Sequence, residues 1–285
     1  MNKLAIGTAQ FGMDYGISNC TGKLNSFCIT KLLNLAKENG IDTLDTAKHY
    51  GNSEYAIGRY LKQCRDKSWH IITKIQVGYK NILDEILDSK KKLTVEPFAI
   101  LTHSPKLFLD KKFQEDLNTV KEQSIVKKVG VSIYSEEEIV KILESQLIPD
   151  IIQLPLNILD TRLYEHGLIQ ELANLGIELH ARSIFLQGLF YLNEDKIKGY
   201  LPEALHYIDK LKIVASKYRL SVSELSLLWV LNLREISKVV IGIENSHQLK
   251  IHLETAKKNL ETDIVDEALS IKCKNEKILN PTLWP

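Results

Sequence analysis

Asp45-Thr46-Ala47, followed by Tyr50-Gly51-Asn52-Ser53-Glu54, sets a carboxylate and a phenol on one loop, where a hydrophobic strand gives way to a helix. Lys74 closes the strand-like run Ile71-Ile72-Thr73, and His103 closes Phe98-Ala99-Ile100-Leu101-Thr102. Four groups able to move or steer a proton therefore stand at the carboxyl ends of three successive strands. If those strands are parallel, the four converge on one mouth of one sheet. Tyr50 is the natural proton donor, but a free phenol titrates near about pH 10 and is a poor acid unless its anion is stabilised. An ammonium at Lys74 would favour the phenolate, and Asp45 would fix that ammonium by ion pairing. His103, as a neutral imidazole, would orient a carbonyl oxygen between itself and the phenol. Such a set polarises a C=O and protonates the alkoxide that develops from it. No exposed Ser or Cys is arranged for acyl transfer and no ligand cluster suits a metal, so the hydride has to come from a borrowed cofactor.

Each of the four has an ordinary explanation when taken alone. Asp45 fits a helix cap, Tyr50 a half-buried aromatic, Lys74 a snorkelling strand end and His103 a satisfied core histidine. The set, in order and each member at a strand's end, favours a catalytic constellation over four coincidences. The neighbours are read more plainly: His49 as a loop residue, Lys48 as a surface lysine, Cys20 and Cys28 as packing or loop residues. Trp284 fits either tail packing on the barrel side or a lid over the substrate.

The elements that must position these groups alternate from end to end. Strands are expected near Leu4–Thr8, Thr43–Thr46, Ile71–Lys74, Phe98–Thr102, Val126–Ser132, Ile151–Leu154, Ile177–Arg182 and Lys238–Gly242. A helix with Ile29, Leu32, Leu33 and Ala36 on one face follows the first of them, after a Gly-rich loop, and stops at Asn39-Gly40. Ser135 with Glu138 and Ser221 with Glu224 fit the capping-box pattern of helix starts. Eight strands, each followed by a helix, with no linker or low-complexity stretch, predict one (β/α)8 TIM barrel spanning residues 1–285 as a single domain. A doubly wound open sheet would usually carry GxGxxG after its first strand, and Gly7-Thr8-Ala9-Gln10-Phe11-Gly12 does not match it. Two segments break the rhythm. Residues 183–217 hold a long loop and an extra helix around Leu205, Ile208, Leu211 and Val214. A further helix near Ile264–Ile271 follows the last barrel helix (Leu249, Leu253, Ala256) and leads into the tail Asn280–Pro285.

Composition narrows the class. The 285 residues, 44% of them hydrophobic, can bury a large core, and barrels of this length form one domain. With 37 basic and 36 acidic residues the formal net charge is +1, so no strong field recruits nucleic acid or an anionic membrane. The four cysteines form no CxxC pair, which fits a reducing compartment. The start Met1-Asn2-Lys3 runs straight into Leu4-Ala5-Ile6-Gly7 without a signal-like apolar segment, and no run approaches the roughly 18 apolar residues of a membrane span. A cytoplasmic protein acting on a small molecule is expected.

From Leu4 to about Ala256 the chain resembles the aldo/keto reductase superfamily, in particular bacterial members with a Gly-Thr-Ala-Gln-Phe-Gly opening. The most specific part is Asp45-Thr46-Ala47-x-x-Tyr50-Gly51-x-Ser53-Glu54. Lys74 in Ile-Thr-Lys, His103 in Leu-Thr-His-Ser-Pro, Gly130-Val131-Ser132, Gln153 before Leu-Pro-Leu-Asn157, and Gln187-Gly188-Leu189 match in order. The resemblance implies a barrel that binds a nicotinamide dinucleotide across its mouth without a Rossmann domain. It implies that Tyr50 is the acid–base residue, assisted by Lys74, Asp45 and His103. Gly7 and Thr8 border the cofactor, and Ser132 and Gln153 hold the carboxamide. Ser183, Phe185, Gln187 and Gly188 follow the pyrophosphate, and Gly242, Glu244, Asn245 and Gln248 form the adenosine-phosphate site. The expected substrate is a small carbonyl compound, with a sugar-derived carbonyl one option, reduced to an alcohol. NADP(H) is the family default.

Three departures bear on this. Ile133 stands where the family often has Asn, which removes one carboxamide hydrogen bond. The amino-terminal hairpin of many members is not expected. The run Ile243-Glu244-Asn245-Ser246-His247-Gln248 lacks the usual Lys or Arg for a 2′-phosphate, which keeps NAD(H) open. The alternative to an enzyme is a dinucleotide-sensing regulatory protein with little turnover. A second alternative is a redox-assisted epimerase or sugar-modifying step that recycles its cofactor.

Overall fold

The computed structural model describes residues 2–66, 68–79 and 81–285. Eight strands close into a barrel: β1 (Leu4–Gly7), β2 (Thr43–Asp45), β3 (His70–Ile75), β4 (Ala99–Thr102), β5 (Lys128–Ser132), β6 (Ile151–Pro155), β7 (Glu178–Arg182) and β8 (Ile236–Gly242). Every neighbouring pair is parallel, and β1 closes the ring by pairing with β8. Strands of this kind are covered on both faces, so they read as nearly continuous Ile, Leu and Val runs rather than as an alternation. Leu4, Ile6, Leu44, Ile71, Ile100, Val129, Val131, Ile152, Leu154, Leu179 and Ile241 are all buried.

The expected strands all form, with shifted ends. Val126 is buried but precedes β5, because Ile125 turns back to donate to the Val120 carbonyl and the ladder starts only at Lys128. The capping boxes at Ser135/Glu138 and Ser221/Glu224 open helices Glu136–Leu143 and Val222–Asn232. After β7 the expected extra helix spans Leu205–Lys217, preceded by a 3-10 turn at Leu186–Tyr191 and a helix at Glu194–Tyr200. Helices Ser246–Thr255 and Thr262–Leu269 follow β8. The stretch expected to be a Gly-rich loop after β1 begins with a helical turn, Ala9–Gly12.

That turn fixes the loop carrying Tyr50 by backbone contact. A Cβ built on Gly12 would stand 1.7 Å from the Tyr50 carbonyl oxygen, and one on Gly51, which has a φ of +54°, would stand 2.4 Å from the Gly12 carbonyl oxygen. Neither obstacle is a side-chain end that can rotate away, so both positions exclude a side chain. The amino-terminal mouth is closed differently, by ion pairs such as Lys238 Nζ to Asp42 Oδ1 at 2.6 Å. No helix among the described residues is long and apolar enough to cross a membrane.

Gly12→Ala should lower the free energy of unfolding by about 1–3 kcal/mol, the usual cost of forcing atoms into a packed contact, and displace Tyr50. Gly199→Ala, where a Cβ meets nothing within 4 Å, should instead be neutral or stabilising by up to about 1 kcal/mol, since Ala is the better helix former. Urea denaturation of both variants checks the contrast.

Candidate active site

The carboxyl ends of the strands surround a cavity of about 290 Å³. Its floor is a buried ion pair. Lys74, on β3 and 1% exposed, places Nζ 2.5 Å from Asp45 Oδ1 and donates to the Thr46 carbonyl at 3.1 Å. The second carboxylate oxygen, Asp45 Oδ2, accepts from Gln153 Nε2 at 2.7 Å. Burial lowers the Lys74 pKa, and the Asp45 charge and hydrogen bond oppose that shift. The motif around the pair locks it to its neighbours. Thr8 Oγ1 donates to the Asp45 carbonyl at 3.0 Å, and Ser53 Oγ lies 2.9 Å from the Thr8 carbonyl and accepts from Thr46 Oγ1 at 3.1 Å. Glu54 is buried and accepts from Thr73 Oγ1 at 2.8 Å, which ties the helix after Tyr50 to the residue before Lys74. The Ser-Glu of the motif is thus structural support for the charged pair.

Above the floor stand Tyr50 and His103, both lining the cavity. Lys74 Nζ lies 5.5 Å from the Tyr50 ring centroid. Its hydrogen bonds go to Asp45 and Thr46 rather than to the phenol. The expectation that Lys74 lowers the phenol's pKa is therefore not met. Burial raises it first and the Asp45 charge second, while the cation that favours the phenolate across the cavity is Arg182. His103 matches its expected neutral form: burial, reinforced by His49, Lys74 and Arg182, pushes its pKa down to about 3.

Fifteen of the sixteen expected site residues line this one cavity; Asn245 is the exception, its side chain capping the next helix by accepting from the Gln248 amide. Gly242 and Gly7 leave room along the groove toward β8, where a Cβ on Gly242 would come within 3.0 Å of Gln10 Nε2. Gln10 Oε1 is buried there without a hydrogen-bond partner. An elongated polar ligand fits a groove with small walls and a free acceptor. The wall opposite is built from left-handed backbone at Ser183, Leu186, Gln187 and Gly188. The Ile17 amide donates to the Gln187 carbonyl at 2.9 Å, so the segment after β1 meets the loop after β7 across the groove. Ser18 Oγ joins the same segment to the loop after β8 by donating to Glu244 Oε1 at 3.2 Å.

Several cavity residues escape sequence reasoning. His49, expected to be an ordinary loop residue, has its ring 4.1 Å from that of His103 and 4.7 Å from that of Tyr50. Tyr15, Tyr134 and Arg182 also line the cavity. Arg182 carries the same signal as Lys74 and His103, a polar residue closing a strand run. Tyr15 and Tyr134 carry none, because the loops they sit on are placed by distant packing. Lys48 is not a free surface lysine: its Nζ lies 2.5 Å from Glu85 and 2.7 Å from Asp88 on the helix Ile82–Leu93. Cys20 is exposed and Cys28 half-buried, both with free thiols. Trp284 packs as tail, donating from Nε1 to the Lys277 carbonyl at 2.8 Å with its ring against Tyr200, and does not line the cavity. No His, Cys, Asp or Glu cluster among the described residues could hold a metal.

A closed parallel barrel with Tyr50, His103 and the Lys74–Asp45 pair at its carboxyl mouth narrows the class of protein, and sequence comparison supplies the family. The Aldo/keto reductase family model matches residues 3–272. The chain belongs to the aldo/keto reductase family, whose members are oxidoreductases using nicotinamide cofactors on carbonyl compounds. No curated protein sequence matches it. Among solved structures it is similar to the holo form of aldo-keto reductase AKR11C1 from Bacillus halodurans, at 20% identity and a TM-score of 0.77, covering 95% of this chain and 92% of that one. It is also similar to glycerol dehydrogenase AKR11B4 from Gluconobacter oxydans, at 21% identity and a TM-score of 0.74, covering 99% and 93%. At such identities the likeness concerns the fold.

The depressed His103 pKa has a stability consequence. A histidine held neutral in the fold contributes fully above its unfolded value of about 6.5, and that contribution is lost as pH falls from there toward about 3. His252, pushed down to about 4 by burial, acts in the same direction. Unfolding midpoints should therefore fall as pH drops from 6.5 toward 4, and His103→Gln should flatten that slope. A slope unchanged in the variant would mean that His103 titrates normally in the fold.

Proposed function

We propose that the protein reduces an aldehyde or ketone to an alcohol at this cavity, the whole chain acting as one domain, with Tyr50 as proton donor. The observation that carries this reading is the convergence of Tyr50, His103 and the buried Lys74–Asp45 pair beside a glycine-walled groove. A bound nicotinamide dinucleotide supplies the hydride. The Tyr50 phenol, kept protonated by burial, donates a hydrogen bond to the carbonyl oxygen and releases its proton as alkoxide charge develops there. Neutral His103 offers a second hydrogen bond to the same oxygen and fixes its direction. Lys74 and Asp45 hold the strand ends at the geometry that proton transfer needs, and Arg182 favours the phenolate left behind.

In the groove, Ser132 and Gln153 are assigned to the carboxamide, the Ser183–Gly188 loop to the pyrophosphate, and Gly242, Glu244 and Gln248 to the adenosine end. Asn245 acts there through the helix it caps. Glu244 decides the cofactor. Its half-buried carboxylate, hydrogen-bonded by Ser18, repels a 2′-phosphate but accepts from a free ribose hydroxyl. NADH is therefore expected to compete with NADPH.

Tyr50→Phe keeps the ring and removes one hydroxyl. Single-turnover hydride transfer at matched cofactor occupancy should fall by about 10²–10⁴-fold with little change in dinucleotide affinity. Near-normal transfer in the variant would favour a dinucleotide-sensing role instead. Glu244→Ala should shift the ratio of NADH to NADPH dissociation constants toward NADPH by about tenfold or more, the scale of a charge-assisted hydrogen bond. Titration calorimetry with both dinucleotides measures this; a strong NADPH preference that ignores Glu244→Ala would overturn the assignment.

A further inference from the structure

Arg182 ends β7 inside the cavity that also holds Tyr50 and His103. Its guanidinium is held by neutral groups alone. Nε donates to Ser132 Oγ at 3.3 Å, Nη1 to Ser183 Oγ at 3.1 Å and Nη2 to the Ile133 carbonyl at 2.8 Å. Its carbon lies 4.1 Å from the centroid of the Tyr134 ring, which stacks against the cation. A guanidinium has five N–H donors in a fixed fork. Three are engaged here, and one on each terminal nitrogen is left.

The charge is unanswered. No carboxylate among the described residues pairs with Arg182, although two line the cavity. Asp45 is taken by Lys74 and Gln153, and Glu244 lies at the other end of the groove beside Ser18. The protein handles a half-exposed arginine of plain structural duty in another way: Arg162 clasps Asp160 through two hydrogen bonds of 2.8 and 3.0 Å. A partly buried cation without a counter-charge costs free energy unless an anion arrives. Tyr15, Tyr134, His49 and His103 line the same cavity, and Nδ1 of both histidines is buried without a hydrogen-bond partner.

We propose that Arg182 is the anchor for an anionic group on the carbonyl substrate, so that the enzyme selects hydrophilic aldehydes or ketones bearing a carboxylate or phosphate. The anchor is pre-formed: Tyr134 and the Ser132, Ile133 and Ser183 acceptors fix the fork before the ligand binds, so little side-chain freedom is lost on binding. This rests on the carbonyl-reduction reading above.

The test compares matched substrates with and without the anion: D-glucuronate against D-glucose for the carboxylate, and D-glyceraldehyde 3-phosphate against D-glyceraldehyde for the phosphate. In the wild type at least one charged partner should be favoured in kcat/KM by about 10- to 100-fold, mostly through KM, the range expected of a charge-assisted pair. Arg182→Met should collapse that ratio and Arg182→Lys restore part of it. The pair that responds identifies the anion. Equal wild-type rates within both pairs, or a ratio that survives Arg182→Met, would overturn the proposal. So would a change confined to the relative affinities for oxidised and reduced dinucleotide, which would move Arg182 to the nicotinamide. Should Arg182→Met fail to fold, the wild-type ratios and Arg182→Lys still decide. If no carbonyl turns over while dinucleotides bind, the reductase reading has failed separately. Binding of oxalate and inorganic phosphate to the dinucleotide complex, weakened in Arg182→Lys, then tests the anion site alone, and absence of such binding overturns it.

Discussion

The buried pair of Lys74 and Asp45 is the constraint to which the rest of the mouth is fitted. An ammonium almost wholly removed from water is tolerable only with a partner at contact distance, and losing one member of such a pair typically costs about 3–5 kcal/mol. Here the partner is 2.5 Å away, and its other oxygen is held by Gln153 from across the barrel. Strands β2, β3 and β6 are therefore tied through one carboxylate. The hydroxyls of Thr8, Thr46 and Ser53 then satisfy the surrounding backbone, and Glu54 with Thr73 braces the strand that carries the lysine. A motif that looks like a run of catalytic residues is mostly the scaffold of one ion pair, with a single phenol standing on it.

The two ends of the cavity are built by different means. At one end, Tyr50 is pinned by the Gly12 and Gly51 contacts, where no side chain fits. At the other end the walls are loops in left-handed conformation, held by the Ile17–Gln187 and Ser18–Glu244 hydrogen bonds. Rigid placement suits proton transfer, which fails with small displacements. Loop walls suit a long ligand that has to enter and leave.

The electrostatics of the Tyr50 end follow from burial more than from charge pairing. The phenols of Tyr50 and Tyr15 are both raised by desolvation, Tyr15 to about 12, and the imidazoles of His49 and His103 are both lowered. These groups are therefore neutral donors and acceptors over the ordinary pH range. Against that neutral lining, the Arg182 guanidinium is the one cation of the Tyr50 end that no carboxylate answers among the described residues. A site of this kind recognises a ligand by hydrogen bonds and by one fixed charge.

The sequence by itself determined the barrel, because eight buried strands of Ile, Leu and Val alternating with capped amphipathic helices leave few other ways to cover both faces of a sheet. It also determined which strand ends meet at the mouth: in a parallel barrel the end of every strand faces the same way, so strand order alone brings Asp45, Lys74 and His103 together, while Tyr50, on the loop after β2, is set beside them by the Gly12 and Gly51 contacts. Arg182 was within reach of the same rule. Tertiary structure alone decided what those groups do to each other. Lys74 turns toward Asp45 and Thr46 instead of the phenol, a choice set by where the nearest acceptors lie in three dimensions. Lys48 is drawn to Glu85 and Asp88 on a helix more than thirty residues away in the chain. His49, Tyr15 and Tyr134 join the cavity because loop paths depend on contacts between distant segments, such as Gly12 against Tyr50 and Ile17 against Gln187. Local periodicity specifies which elements form; the path of a loop depends on packing, and packing has no signature in neighbouring residues.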